Sequence, residues 1–225
     1  MRKLLTLMLL ALLFAGNSYA QFVSYGFMPS NGTYTEITGG TLLGSETSDD
    51  QRYVDPAVPA GGTVLTGVGF PIGFNFVFNG VTFDRIGINN NGWITFGQSA
   101  LTPAVDMATS SSYTPLSSTT IPTNPIHRNR ASAFGRDLAC QVGGTLRIET
   151  IGTAPNQVCV IQWKNFRKYA ATGDAFDFQI RLNETSNLVQ FVYGPATFNT
   201  TSSTCQVGLG GAATTEFINR SSTTS

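Results

Sequence analysis

Residues 67–97 read GVGFPIGFNFVFNGVTFDRIGINNNGWITFG, and the spacing of their apolar side chains decides the fold class. Phe74, Phe76 and Phe78 alternate with Asn75, Val77 and Asn79, which sets three rings on one face of an extended chain. Asn79-Gly80 is a tight-hairpin signal, because both central turn positions need positive φ. Val81-Thr82-Phe83 returns, Ile86 and Ile88 carry the apolar face onward, and the turn residues 89–92 lead into Trp93-Ile94-Thr95-Phe96. A meander with one aromatic face needs a second layer to cover it. The predicted class is therefore all-β: an antiparallel two-sheet β-sandwich of jelly-roll type.

The same alternation recurs downstream. Leu146 and Ile148 share a face, as do Cys159, Ile161 and Trp163, with residues 151–156 as the loop between them. The strongest alternation is Phe176, Phe178, Ile180 and Leu182 inward with Asp177, Gln179 and Arg181 outward. A turn at 183–187 precedes a returning strand at 188–193, and 205–210 reads as one more. Two stretches break the pattern. Residues 98–130 are dense in Thr, Ser and Pro, with Pro103, Pro115, Pro122 and Pro125, and read as one long functional or mobile loop. Residues 165–173 carry Arg167 and Lys168 and read as a solvated connection.

At the N-terminus, Met1-Arg2-Lys3, an apolar run over 4–14 and small residues at Ser18 and Ala20 make residues 1–20 a signal peptide. The run is too short for a membrane span of about 20 residues. Residues 21–225 are then expected to form a single sandwich domain, large enough for one core. Removing Arg2 and Lys3 leaves 11 basic against 13 acidic residues, a net charge of −2. That balance excludes the basic stripe of a nucleic-acid binder. Charged residues make up only 12% of the chain, so Thr, Ser, Asn and Gly supply its solubility. Cys140, Cys159 and Cys205 match no zinc spacing, and Cys159 lies in an apolar run as a buried thiol.

No catalytic constellation emerges. His127, the only histidine, stands in the long loop beside Arg128 and Arg130 with no assignable nucleophile or carboxylate partner. Asp137, Glu149 and Asp177 are the acids placed on strands, and spacing pairs none of them for glycoside hydrolysis. The acidic loop residues Glu46, Asp49, Asp50 and Asp55 match no calcium motif, so neither a metal nor a cofactor is expected. The chain is read as a non-enzyme, and its candidate site is a ligand-binding one. Outward Asp177, Gln179 and Arg181 either contact a ligand across an open sheet face or pair across strands. Trp93, directly after Asn-Gly at a strand start, is either a stacking platform for a sugar or a core ring.

The succession GFPIGFNFVFNGVTFDRIGINNNGWITFG, RASAFGRDL, VCVIQWKNF, FDFQIRLNETSNLVQFVYG and CQVGLGG spans most of residues 22–220. It resembles the N-terminal β-sandwich module of secreted and cell-surface proteins of the Bacteroidota. Those proteins carry fibronectin type III-like repeats and a sorting domain for type IX secretion. FQIRLNETSNLVQFVYG also resembles the core hairpin of nidogen-like extracellular domains. The resemblance implies a secreted or cell-surface, non-catalytic module for adhesion or for binding a surface glycan or extracellular protein, or else a spacer or accessory domain of a larger secreted hydrolase or peptidase. Relatives continue past the position of Ser225, so downstream domains are expected to be missing from this chain. They also place an acidic pair where Arg136-Asp137 stands, which argues against a polar site at Asp137.

Overall fold

The computed structural model describes residues 25–45, 48–108, 113–117, 121–199 and 204–220. The expected signal peptide at 1–20 and Glu46 of the acidic loop lie outside them. The strands are β1 (Thr41–Gly44), β2 (Arg52–Tyr53), β3 (Thr66–Gly67), β4 (Phe70–Phe78), β5 (Val81–Asn89), β6 (Trp93–Gly97) and β7 (Val105–Asp106). They are followed by β8 (Arg130–Gly135), β9 (Leu138–Ile151), β10 (Val158–Lys168), β11 (Ala175–Asn183), β12 (Val189–Thr197), β13 (Gln206–Gly210) and β14 (Phe217–Asn219). One sheet runs β1-β9-β10-β11-β12; the other runs β14-β13-β8-β6-β5-β2, with β4 also paired to β5. Both are antiparallel and open, so the molecule is the all-β sandwich that the alternation predicts.

The hairpin at Asn79-Gly80 has the positive φ at both positions that its sequence requires, 49° and 72°. Phe76 and Phe78 are fully buried. Phe74 is only partly so, because β4 slips register between Pro71 and Phe76 and Gly73 turns to φ 98° within that irregularity. The interior is a stack of rings contributed by both layers. Phe78 lies over Phe96 at 4.6 Å, Trp163 over Phe178 at 4.9 Å, and Phe134 of β8 meets Phe176 of β11 at 4.7 Å across the two sheets. Each such ring pair adds about 0.5–1.5 kcal/mol to its area burial. Cys140 and Cys159 are buried in this core, and Cys205 is half-buried outside it.

Three sequence expectations are corrected. Residues 98–130 are not one structureless loop: β7 pairs with β3, and Pro125–Arg128 form a 3-10 helix whose start is capped by the Asn124 side chain. Residues 165–173 are not simply solvated, because β10 continues to Lys168. That lysine is buried, with Nζ 3.1 Å from an Asp174 carboxylate oxygen. Asp137 is not on a strand but in the short connection between β8 and β9.

Candidate functional site

Strand register orders the side chains on the outer face of the five-stranded sheet. Arg147, Gln162 and Gln179 lie opposite one another across β9, β10 and β11. Glu149, Val160, Arg181 and Gln190 form the neighbouring row across β9 to β12. Both rows follow from alternation, since the residues between them point into the core.

Residues 33–39 lie across the first row as a strap. Arg147 donates to the Gly39 carbonyl at 3.3 Å, Gln162 to that of Ile37 at 3.0 Å, Gln179 to that of Thr35 at 2.8 Å and Arg181 to that of Thr33 at 3.4 Å. The Gln162 carbonyl oxygen also accepts from the Ile37 amide at 2.9 Å and from Gln179 Nε2 at 2.7 Å. Every second carbonyl is thus bound by a side chain of the sheet, the period of an extended chain. Lys164 pairs with Glu36 at 2.6 Å, and the Tyr34 ring packs so close to Gly194 that a Cβ there would come within 2.8 Å of it.

The strap relocates the candidate residues. Gln179 is fully buried and spent on Thr35 and Gln162, so it is closed to a ligand in this conformation. Asp177 accepts from the amide of Asn165, which sits at φ 52°. The cross-strand pairing expected from the sequence is present between Gln162 and Gln179. The binding of the chain's own main chain is what sequence reasoning missed; its only signal was the short alternation Thr33-Tyr34-Thr35-Glu36-Ile37.

Of the four candidates, Arg181 is the one that lines the cavity beside the strap. Beside the strap is a cavity of about 610 Å3, bounded by residues 35–39 on one side and by Glu149, Val158, Val160, Arg181, Asn183 and Gln190 on the other. Val158 and Val160 give it an apolar floor, while an acid, a guanidinium and two amides stand around them.

Trp93 lies on the other outer face and has no exposed surface. It packs with Val54, Val105 and Met107 in a second small core, roofed by residues of the long loop. Gly87 leaves room for Met107, whose side chain would lie 2.9 Å from a Cβ at that position. The Arg130 guanidinium stands 5.1 Å above the Trp93 ring and donates to the carbonyls of Pro115 and Ala108. Burial pulls the Arg130 pKa down to about 10, against the pull of Asp106. The indole therefore offers no accessible face for a sugar, because the loop that was expected to present ligands folds down over it. His127 is buried by the same segment, which lowers its pKa, again opposed by Asp106.

The structure also gathers acids that spacing could not pair. Carboxylate oxygens of Asp49, Asp50 and Asp137 lie within 4.8 Å of one another. Asp50 accepts from Asn91 Nδ2 at 2.7 Å and from the Tyr113 hydroxyl at 3.2 Å. Burial and then the charge of Asp50 raise the pKa of both Asp49 and Asp137, with Arg167 opposing. Three such oxygens are the kind of donor a hard cation takes. The two arginines beside Asp137, Arg136 and Arg167, supply charge compensation of their own.

Over residues 24–225 the chain matches the model of a family described as NIDO related, and it belongs to that family. NIDO-related domains are typically extracellular modules of a non-enzymatic type, in line with the nidogen-like resemblance. No curated protein and no solved structure matches it. No helix among the described residues is long and apolar enough to cross a membrane.

Proposed function

We propose that this is an exported, non-catalytic binding module, one sandwich over residues 21–225, that holds an extracellular ligand at the cell surface through the groove beside the strap. The observation that carries this reading is the open cavity of about 610 Å3 on the outer sheet face, where Arg181 and Glu149 stand over an apolar floor. A concave, mostly preformed cleft with a few convergent polar groups is the usual form of a binding site. Export rests on the leader at 1–20, and display at a Bacteroidota cell surface through type IX secretion rests on the resemblance of the sandwich motifs. Arg181 is the residue assigned to the ligand, with Gln179 positioning it through the bond from Arg181 Nε at 2.8 Å.

The test is retention of surface glycans and of extracellular proteins by the exported chain, compared with a Gln190→Trp variant that fills the groove. Binding that the variant loses supports the reading. Binding that ignores Gln190→Trp moves the site elsewhere, and no binding at all leaves the spacer or accessory role.

A further inference from the structure

Resting on that reading, we infer that the groove takes a small zwitterion, a peptide of about three residues with both ends free, its carboxylate on Arg181 and its ammonium group on Glu149. The register of the sheet sets the two charges apart. Glu149 of β9 and Arg181 of β11 flank Val160 of β10, so their strand positions lie two strand spacings, about 10 Å, from each other. Both line the cavity, and neither forms a salt bridge among the described residues. The neighbouring charges are spent elsewhere: Arg147, two residues from Glu149 on the same face, donates to the Gly39 carbonyl, and Glu36 pairs with Lys164. Gly39 leaves the space that the Glu149 carboxylate fills, since a Cβ there would overlap its Oε1.

The two ends of the row differ in what they offer a ligand. Arg181 has neutral partners only: Nε donates to Gln179 Oε1 at 2.8 Å and Nη2 to the Thr33 carbonyl at 3.4 Å, which leaves Nη1 to the groove. Gln190 stands opposite Arg181 on β12. Its Oε1 accepts from Asn183 Nδ2 at 3.1 Å, so its Nε2 adds a second donor beside the guanidinium. Burial lowers the Arg181 pKa and Tyr34 opposes it, as befits a desolvated cation with no carboxylate beside it. A guanidinium and an amide that both donate suit a carboxylate. At the other end the ionised Glu149 can only accept, and it suits an ammonium group. Ile151 and Val158, paired across β9 and β10 in the next row, give the body of the ligand an apolar seat. Three extended residues span about 10 Å, the separation of the two charges. The lining contains no aromatic ring, so the stacking surface by which proteins hold sugars is missing from the groove.

The probe is a set of synthetic apolar tripeptides with free ends, titrated on the exported chain beside their N-acetylated, C-amidated and doubly blocked forms and beside a glycan array. The free peptides are expected to bind, and acetylation or amidation should each weaken them at least tenfold. Glu149→Gln should cost the free peptide as much as acetylation does, and that effect should vanish on the acetylated form. Arg181→Gln should behave likewise with the amidated form. Blocking the ligand's ends leaves the protein untouched, so the comparison stands even where a variant fails to fold. Free and doubly blocked peptides bound equally, and both lost in Gln190→Trp, overturn the zwitterion and leave the groove as the site. End-dependent binding that ignores Glu149→Gln and Arg181→Gln overturns the assignment of those two residues. Glycans or extracellular proteins released in Gln190→Trp, with no tripeptide bound, overturn the peptide class and keep the binding module. Retention of nothing overturns both readings.

Discussion

Both outer faces of the sandwich are crossed by a segment from outside its two main sheets, yet the two crossings are built from opposite chemistry. On the seven-stranded sheet, residues of the long loop bring Val105 and Met107 onto Trp93 and bury it completely. On the five-stranded sheet, residues 33–39 are held mainly by side-chain amides and guanidinium groups that bind main-chain carbonyls. Apolar contact is non-directional and closes space around it. Hydrogen bonds hold a chain at fixed points and leave room beside it, and that room is the groove. The face with the more conspicuous ring is thus the sealed one, and the face with the polar row is the open one.

The contrast breaks most visibly at Trp93. Trp93→Ala leaves a large void under the loop and takes away the ring beneath Arg130, and a buried Trp→Ala change costs about 3–5 kcal/mol. Urea unfolding should show that loss, while groove binding by the folded fraction stays unchanged. A cost near zero, together with altered ligand binding, would make the loop face the open one and reverse the comparison.

Gln162→Ala is the corresponding cut on the strap side. It removes both bonds to Ile37 and one of the two partners of Gln179 Nε2, at a cost of about 1–3 kcal/mol because buried groups are left unpaired. The diagnostic is local: exchange at the Ile37 amide should speed up before any global unfolding. If the amide stays protected in the variant, the strap is held by packing, as on the other face, and the distinction between the faces dissolves.

This difference also explains how much the sequence could say. Alternation placed Phe76, Phe78, Ile161, Trp163, Phe178 and Ile180 inside, because burial on one face imposes a period of two on nearby residues. It equally placed Gln179 and Arg181 outside. What covers an outside face is set by contacts 125 residues apart for Ile37 with Gln162 and 144 for Thr35 with Gln179, which no local period records. Trp93 was legible as either a stacking platform or a core ring, and what decides for burial is Val105 and Met107, in a stretch whose Pro and Ser content hides them. Asn89, Asn90 and Asn91 read as turn residues, and nothing in that reading indicates that all three are fully buried. Asn90 Nδ2 bridges the carbonyls of Ser48 and Leu138, and Trp163 Nε1 donates to the Asn90 carbonyl.

His127 sharpens the comparison through pH. The sealed face buries its imidazole, Nε2 has no partner among the described residues, and its folded pKa lies below the usual 6.5. The unfolded chain therefore takes up a proton first as pH falls, so stability drops from about pH 6.5 downward until the folded imidazole also titrates. Urea midpoints at pH 7.5 and 5.5 should differ, and His127→Gln should remove that component of the difference. An unchanged slope in the variant would mean that the loop admits water and a proton, so the face is not sealed.

The smallest effect belongs to the one ion pair on the strap. Lys164 and Glu36 are 2.6 Å apart but each side chain keeps about a third of its surface in solvent, 34% and 38%. Screening and side-chain entropy hold such pairs below about 1 kcal/mol. Glu36→Gln should therefore shift unfolding by less than that, and about 1 M salt should erase the shift. The Ile37 amide should stay protected in the variant, because its partner is the neutral Gln162 amide, which salt does not weaken in the same way. Should Glu36→Gln instead release the strap as fully as Gln162→Ala, the attachment would be electrostatic. The edge of the groove would then open and close with ionic strength, and the open face would differ from the sealed one by charge rather than by where its hydrogen bonds fall.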